Sequence, residues 1–490
     1  MIKKAARLIL RVTTFVISSF LLVAVTLILA RAVSLRGGPD LEWWHTEDIN
    51  SEFNHKDRLS VTTLEQYLAR EGMVFEELET LVKNNAQALE PRHLNRFRTD
   101  NKSYPDKSGH NLNHSNQLYP EVIRGGVLLL HGMTDSPYSL RHLAKIFHAR
   151  GLYVLNLRMP GHGTMPAELD RVQWQDWQAA VELGARHVSA QIGSEQPFYI
   201  LGYSNGASLA LKYSLDSIDK TELRTPDHIF LLSPMIAVDA VARFSRLFYW
   251  LGRLEFFEQS RWLDIYPEYD PHKYNSFPMN AGLQSYKLTM TVKEQIQRTA
   301  DNGDLSKMPP VLSFQSLVDK TVVTSAVLDD LYEKLPSNGS ELVLFDINHM
   351  GDLEQYILPV HKLLLRRAMN EGSGKYAVSV VTNRAGKDPA VVELKQSAGV
   401  PGFVNRNLEY NWPEDVYSLT HVALPFPLHD EVYGLQSRNL DSRYPHFGRV
   451  EILGESGALI LPPALLQRLR SNPFYGYIEE RIGTVIEPNP

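Results

Sequence analysis

From Gly125 onward the chain alternates short, wholly apolar runs with stretches whose apolar residues recur at helical spacing. Val127–Leu130, Tyr153–Leu157, Phe198–Leu201, Ile229–Leu232, Val311–Phe314 and Leu342–Phe345 read as buried strands. Leu140–Arg150, Trp174–Gln191, Ala207–Leu215, Val323–Leu335 and Leu353–Arg367 carry the helical pattern. A strand apolar on both faces must be covered on both, and an intervening helix lets successive strands run parallel. The rhythm predicts an α/β fold with a mostly parallel sheet and helices on both faces. It breaks once. Between Pro234 and about Asn302 no strand is expected, and Phe244, Phe248, Tyr249, Trp250, Phe256, Phe257, Trp262 and Tyr266 crowd the interval. It reads as a helical cap over the sheet, about 235–300. Residues 371–490 form a C-terminal extension in which Tyr376–Val381, Val391–Leu394 and Val450–Leu453 suggest further strands.

Gly202-Tyr203-Ser204-Asn205-Gly206 follows one expected strand and opens one expected helix. A serine hydroxyl is a weak nucleophile until a base takes its proton. A sharp strand-to-helix turn lifts that oxygen clear of the sheet, and glycines spare the turn side-chain clashes. Val127-Leu128-Leu129-Leu130-His131-Gly132-Met133-Thr134 is an apolar strand ending in His-Gly-x. The loop after such a strand and the residue after the serine each lend a backbone N–H to an oxyanion, which points to Met133 and Asn205. His131 reads as a turn histidine. An acid and a base are expected downstream, in the order Ser, Asp, His. Asp319 lies just past the strand 311–314 and His349 just past the strand 342–345, where strand ends converge on one edge of the sheet. Asp319 is expected to hold the imidazole and His349 to act as base, then acid. Asp346 is the rival acid, set aside as too close to His349. His421, in Leu419-Thr420-His421-Val422, is the rival base.

Four segments in this order carry a resemblance: His131-Gly132-Met133-Thr134-Asp135-Ser136-Pro137, Met159-Pro160-Gly161-His162-Gly163-Thr164, Gly202-Tyr203-Ser204-Asn205-Gly206-Ala207, and the Asp319 and His349 stretches. Residues 125–368 resemble the monoacylglycerol-lipase and serine-aminopeptidase branch of the α/β-hydrolase fold family. The resemblance implies that fold, a Ser-His-Asp triad and acyl chemistry without a cofactor. It does not choose among esters, amides and acyl transfer. Asn205 stands where that branch often has Met or Gln. The reading is a serine hydrolase of hydrophobic, lipid-like esters. The alternatives are an aminopeptidase, whose free-amine substrate would need a carboxylate such as Glu255, Glu258, Asp264, Glu268 or Asp270; an acyltransferase on the same fold; and an inactive membrane-tethered binding module. No metal is expected, because His110 and His114 sit in an Asn-rich loop.

Composition sets outer bounds. The sequence has 50 Lys and Arg against 56 Asp and Glu, a net charge of −6, and so no basic footprint for nucleic acid. It has no cysteine, which excludes disulfides and thiolate chemistry. At the N-terminus Lys3, Lys4, Arg7 and Arg11 precede an uncharged run from Val12 to Ala30, a helix of roughly 28 Å and enough to cross a hydrocarbon core. Residues 1–36 read as an uncleaved anchor, with a cleaved signal peptide as the alternative. The basic flank places the N-terminus in the cytoplasm and the enzyme on the outer side. Residues 37–120 are expected to be a linker and helical arm, with Thr62-Thr63-Leu64-Glu65 as a capping box, and 121–370 the hydrolase domain. A spanning helix resists high salt, which strips electrostatically held proteins. The chain should therefore stay in the membrane fraction after a high-salt wash; a soluble form beginning near Val33 would show instead that the segment is removed.

Overall fold

The computed structural model describes residues 2–36, 38–85, 94–106, 109, 111–237, 252, 254–350, 357–371, 374–384, 388–436, 444–448 and 462–487. The strands are β1 (Asn116–Leu118), β2 (Gly125–Leu130), β3 (Leu152–Leu157), β4 (Phe198–Tyr203), β5 (His228–Leu232), β6 (Trp262–Asp264), β7 (Phe277–Pro278), β8 (Val311–Ser316), β9 (Glu341–Phe345), β10 (Ala377–Asn383), β11 (Ala390–Gln396) and β12 (Val404–Asn411). All except β6 and β7 form one sheet in the order β1-β3-β2-β4-β5-β8-β9-β10-β11-β12. From β3 across to β10 neighbouring strands are parallel. β1 runs antiparallel at one edge, and β11 and β12 run antiparallel at the other.

The expected strands of the hydrolase domain and the first two of the extension are present. The expected strand Val450–Leu453 lies outside the described residues. β1 falls inside the expected linker and arm, where three residues of mixed polarity give no alternation to detect. The arm helix runs Leu64–Asn84, and its box joins Thr63 to Gln66, one residue later than the sequence suggested. The interval read as strand-free holds the short antiparallel pair β6 and β7. Residues 238–251, which include Phe244, Phe248, Tyr249 and Trp250, lie outside the described residues. The helix Met279–Asp301 was assigned to the cap, yet its Leu288, Val292 and Ile296 are buried in the main core beside the helices 174–192 and 205–219. Expected helix Val323–Leu335 is a short turn of α-helix followed by wider, π-type turns over Val327–Tyr332. Helix 359–371 begins later than the expected Leu353, which lies outside the described residues.

Two apolar layers flank the sheet. On one face Trp177, Val188, Leu209, Leu211 and Leu331 pack against Leu128, Leu155, Ile200 and Leu344. On the other, Leu143 and Phe147 of the helix 141–149 share the cover with Tyr477, Ile478 and Ile482 of the helix Tyr475–Ile486. The C-terminal segment is thus built into the sheet, since β10 pairs parallel with β9 and the last helix seals a face. Charge fixes it further. Arg481 donates to Glu341 at 2.7 Å and to Glu393 at 2.9 Å. The arm is tied down by Arg158, fully buried, which donates to both oxygens of Glu52 at 2.9 Å and lies 3.3 Å from Glu71. Ile482→Ala, at a fully buried position, should cost about 2–5 kcal/mol of stability. Denaturant unfolding of the detergent-solubilised chain checks this; a loss below about 0.5 kcal/mol would mean that the last helix does not share the core.

Candidate active site

Ser204 sits between β4 and the helix Asn205–Asp219 with φ 56° and ψ −114°. That is an unusual conformation for a residue with a side chain, and it is held from several sides. Its N–H donates to the Leu232 carbonyl at 2.9 Å, and its own carbonyl accepts from Ala207 at 3.0 Å. The flanking glycines are steric necessities. A Cβ on Gly202 would lie 2.4 Å from the Gly206 oxygen, and one on Gly206 would lie 2.0 Å from the Leu130 oxygen. The helix therefore starts hard against the end of β2, which brings the next loop to the serine. A Cβ on Gly132 would meet the Ser204 Cβ at 3.2 Å. The backbone N–H groups of Met133 and Asn205 have no hydrogen-bond partner among the described residues. His131, fully buried, accepts from the Met159 N–H at 3.0 Å, and burial pushes its pKa down to about 4 despite the Gly132 carbonyl. It is a neutral structural residue.

The acid and the base pair differently from expectation. Asp319 Oδ2 bonds His421 Nδ1 at 2.8 Å, with both side chains buried. The same oxygen accepts from Gln315, and Oδ1 accepts from the N–H groups of Thr321 and Val322. Burial alone would raise this carboxyl. The charge and hydrogen bond of His421, with the two N–H donors, outweigh it and hold the group below the ordinary aspartate value. His349 is engaged with Asp346 instead, Nε2 to Oδ2 at 2.9 Å, and its side chain is partly exposed. Asp346 also accepts from the Thr382 hydroxyl at 2.8 Å, and the His349 N–H donates to Asn383 at 2.8 Å. The expected Asp319–His349 pair is therefore replaced by two pairs, Asp319 with His421 and Asp346 with His349. The physical reason is the extension. β10 beside β9 supplies Thr382 and Asn383, which hold the 346–349 turn, while a later loop carries His421 to the acid.

That loop is anchored to the elements that carry the serine and the acid. Tyr203, the residue before Ser204, donates to the His421 carbonyl at 3.3 Å, with the rings 5.4 Å apart. Ser316, at the end of β8, donates to the Leu419 carbonyl at 2.9 Å. Further on, the buried Asp430 accepts from Arg141 at 2.7 Å, His142 at 3.1 Å and the N–H groups of Val432 and Tyr433. Sequence reading gave these clasp residues no weight, since nothing in their local pattern announces a partner almost 300 positions away. His114 stacks on Phe75 and lies 3.3 Å from Glu71, and His110 falls outside the described residues.

Residues 121–348 match the family model described as serine aminopeptidase, S33. That segment, less than half of the chain, is similar to this family. A thermostable monoacylglycerol lipase from Bacillus sp. (strain H-257) is 35% identical over 108 residues, 22% of this chain and 40% of that protein's length. The chain thus matches less than half of that relative. Among solved structures, a monoacylglycerol lipase from Paleococcus ferrophilus is 14% identical, covering 52% of this chain and 98% of its own, with a TM-score of 0.35. A soluble variant of monoglyceride lipase from Saccharomyces cerevisiae is 15% identical, covering 47% and 82%, with a TM-score of 0.33.

The elbow's geometry is testable through its glycines. Gly206→Ala has no space for its methyl group and should lower stability by about 3 kcal/mol or more, or prevent folding. Gly72→Ala, in the arm helix with nothing within 4 Å of its new carbon, should be neutral or stabilise by up to about 1 kcal/mol. Equal melting-temperature changes in the two variants would contradict the close approach at Ser204.

Proposed function

We propose that the chain is a serine hydrolase of carboxylic esters with hydrophobic acyl groups, in which Ser204 is the nucleophile, His421 the base and Asp319 the group that orients it. The observation that carries this reading is the buried Asp319–His421 pair, whose imidazole packs against Tyr203, the residue before a serine on a strained elbow. In the cycle, Ser204 Oγ attacks the ester carbonyl carbon while His421 Nε2 takes the serine proton. Asp319 keeps the other ring proton on Nδ1 and stabilises the imidazolium. The carbonyl electron pair moves onto oxygen, which the N–H groups of Met133 and Asn205 receive. Collapse expels the alcohol, protonated by His421, and leaves an acyl-serine. Water, deprotonated by the same ring, then releases the acid. His349, the base expected from chain order, is set aside because Asp346 occupies it.

Two of the five cap acids, Glu268 and Asp270, are committed to other partners, which weighs against the aminopeptidase reading. Glu268 spends its carboxylate on the N–H groups of Asn275 and Ser276. Asp270 spends Oδ1 on the Tyr433 hydroxyl and the N–H groups of His272 and Lys273. The match to a monoacylglycerol lipase supports a lipid-like ester as substrate. So does the N-terminal helix, whose Ile9–Leu27 stretch is long and apolar enough to cross a membrane. With its basic flank inside, that helix would hold the enzyme on the outer surface, beside amphiphilic esters.

The test is kcat/KM on p-nitrophenyl esters from acetate to palmitate, beside alanyl and prolyl amides, for the wild type and three variants. Activity should rise from acetate to medium chains, because each buried methylene adds about 0.8 kcal/mol until the cavity is full. Ser204→Ala and His421→Ala should each lose roughly 10⁴-fold or more, because the triad acts as a unit. His349→Ala should stay within about tenfold of wild type, the lost pair being a partly exposed one. The reverse ranking of the two histidines would return the base to the 346–349 turn. Faster cleavage of the free-amine amides would replace the ester reading with the peptidase.

A further inference from the structure

The loop that presents Met133 is gripped from behind by one short segment at the foot of the cap. Lys273 Nζ lies 2.8 Å from Asp135 Oδ1. Both side chains are largely withdrawn from solvent, at 15% and 4% exposure. The ammonium also lies 4.8 Å from the centre of the Phe426 ring, 5.4 Å from Tyr433 and 6.0 Å from Tyr203. The next residue adds a second hold, since the Tyr274 N–H donates to the Thr134 carbonyl at 2.9 Å. Thr134 has φ 62°, a left-handed conformation that a β-branched residue adopts only under constraint. The segment is itself immobilised. Arg96 donates to the Lys273 carbonyl at 3.2 Å, the Lys273 N–H donates to Asp270 at 3.0 Å, and the Tyr274 hydroxyl contacts the Gly161 carbonyl and the Thr164 N–H.

These contacts converge on one peptide plane. The Gly132 carbonyl and the Met133 N–H belong to the same planar unit and point in opposite directions. Two donors meet that carbonyl, His131 Nδ1 at 3.0 Å and the Asp135 N–H at 3.3 Å, so the placing of Asp135 contributes to where the Met133 N–H is aimed. The Asp135 carboxylate also crowds Gly132, where a Cβ would lie 2.9 Å from Oδ2. We propose that Lys273 is a positioning residue for the oxyanion hole: by holding Asp135 in its aromatic surround, it fixes the Gly132–Met133 peptide so that the Met133 N–H faces the oxygen formed when Ser204 attacks. The inference rests on the serine-hydrolase reading above and adds to it a residue from outside the triad and outside the motif loops.

A medium-chain alkyl trifluoromethyl ketone is a suitable probe. Ser204 Oγ bonds to its carbonyl carbon, the π pair moves to oxygen, and the serine proton passes to His421, leaving a stable oxyanion in the hole. In the full-length, detergent-solubilised chain, Lys273→Met should lower kcat on the octanoate ester by about 10- to 100-fold, the scale of a misaimed group, with KM changed less than threefold. The inhibition constant of the ketone should rise by the same factor as kcat/KM falls, and Lys273→Arg should restore most of both. If Lys273→Met does not fold, Asp135→Asn removes the ion pair while keeping the side-chain shape, and should move kcat and ketone inhibition together in the same sense. Loss of activity with unchanged ketone affinity, a change confined to KM, or kcat within twofold of wild type in the folded variant would overturn the proposal. A wild-type chain that cleaves the ester yet ignores the ketone would instead overturn the serine mechanism on which it rests.

Discussion

The site depends on a hydrogen bond between side chains 102 positions apart, from His421 to Asp319. A buried carboxylate is tolerable only when its charge is met, and here an imidazole, an amide and two backbone N–H groups meet it. The imidazole in turn reaches the acid only because its loop is held by Tyr203 and Ser316, residues at the ends of the strands that lead to the serine and to the acid. Formation of the site is therefore coupled to docking of the C-terminal segment. Three added strands extend the sheet and a final helix seals its second face, so the extension completes both the core and the constellation.

The same logic explains why the rest of the chain is laced together by buried polar contacts. The sheet supplies rigid strand ends, but the groups around the serine come from distant segments: the 131–136 loop, the foot of the cap and the extension. Largely buried charge pairs pin these segments and the arm. Arg158 joins arm to sheet, Lys273 joins cap to the 131–136 loop, and Asp430 joins the extension to the helix that follows that loop. Breaking one partner of such a pair leaves the other charge stranded, which typically costs about 3–5 kcal/mol.

The parallel sheet, its covering helices and the Ser204 elbow were legible because they rest on local pattern: continuous apolar runs, 3.6-residue periodicity, and glycines whose positions allow no side chain. Asp319 is visible in the sequence as the first acid beyond an apolar strand. The imidazole it pairs with is not. His349 stands where chain order places a base, yet the Thr382 hydroxyl and the Asn383 side chain, on a strand read as part of an appendage, hold its turn toward Asp346. His421 was visible only as a rival, because no local spacing encodes contact with a strand end a hundred residues earlier. Lys273 and Asp430 left no trace for the same reason: a buried ion pair is a property of the folded surface, and a lone charge in sequence resembles any other. The capping box shifted by one position because Thr62 and Thr63 offer equivalent hydroxyls, and the structure selects the one with Gln66 three residues on.

The most direct test of the central claim is the crystal structure of the chain after reaction with a fluorophosphonate. Phosphorus should be bonded to Ser204 Oγ, with one phosphonyl oxygen facing the N–H groups of Met133 and Asn205, and His421 Nε2 within about 3 Å of the serine oxygen while Nδ1 stays on Asp319. An adduct in which His349 fills that place, with Asp319 turned toward it and His421 withdrawn, would contradict it.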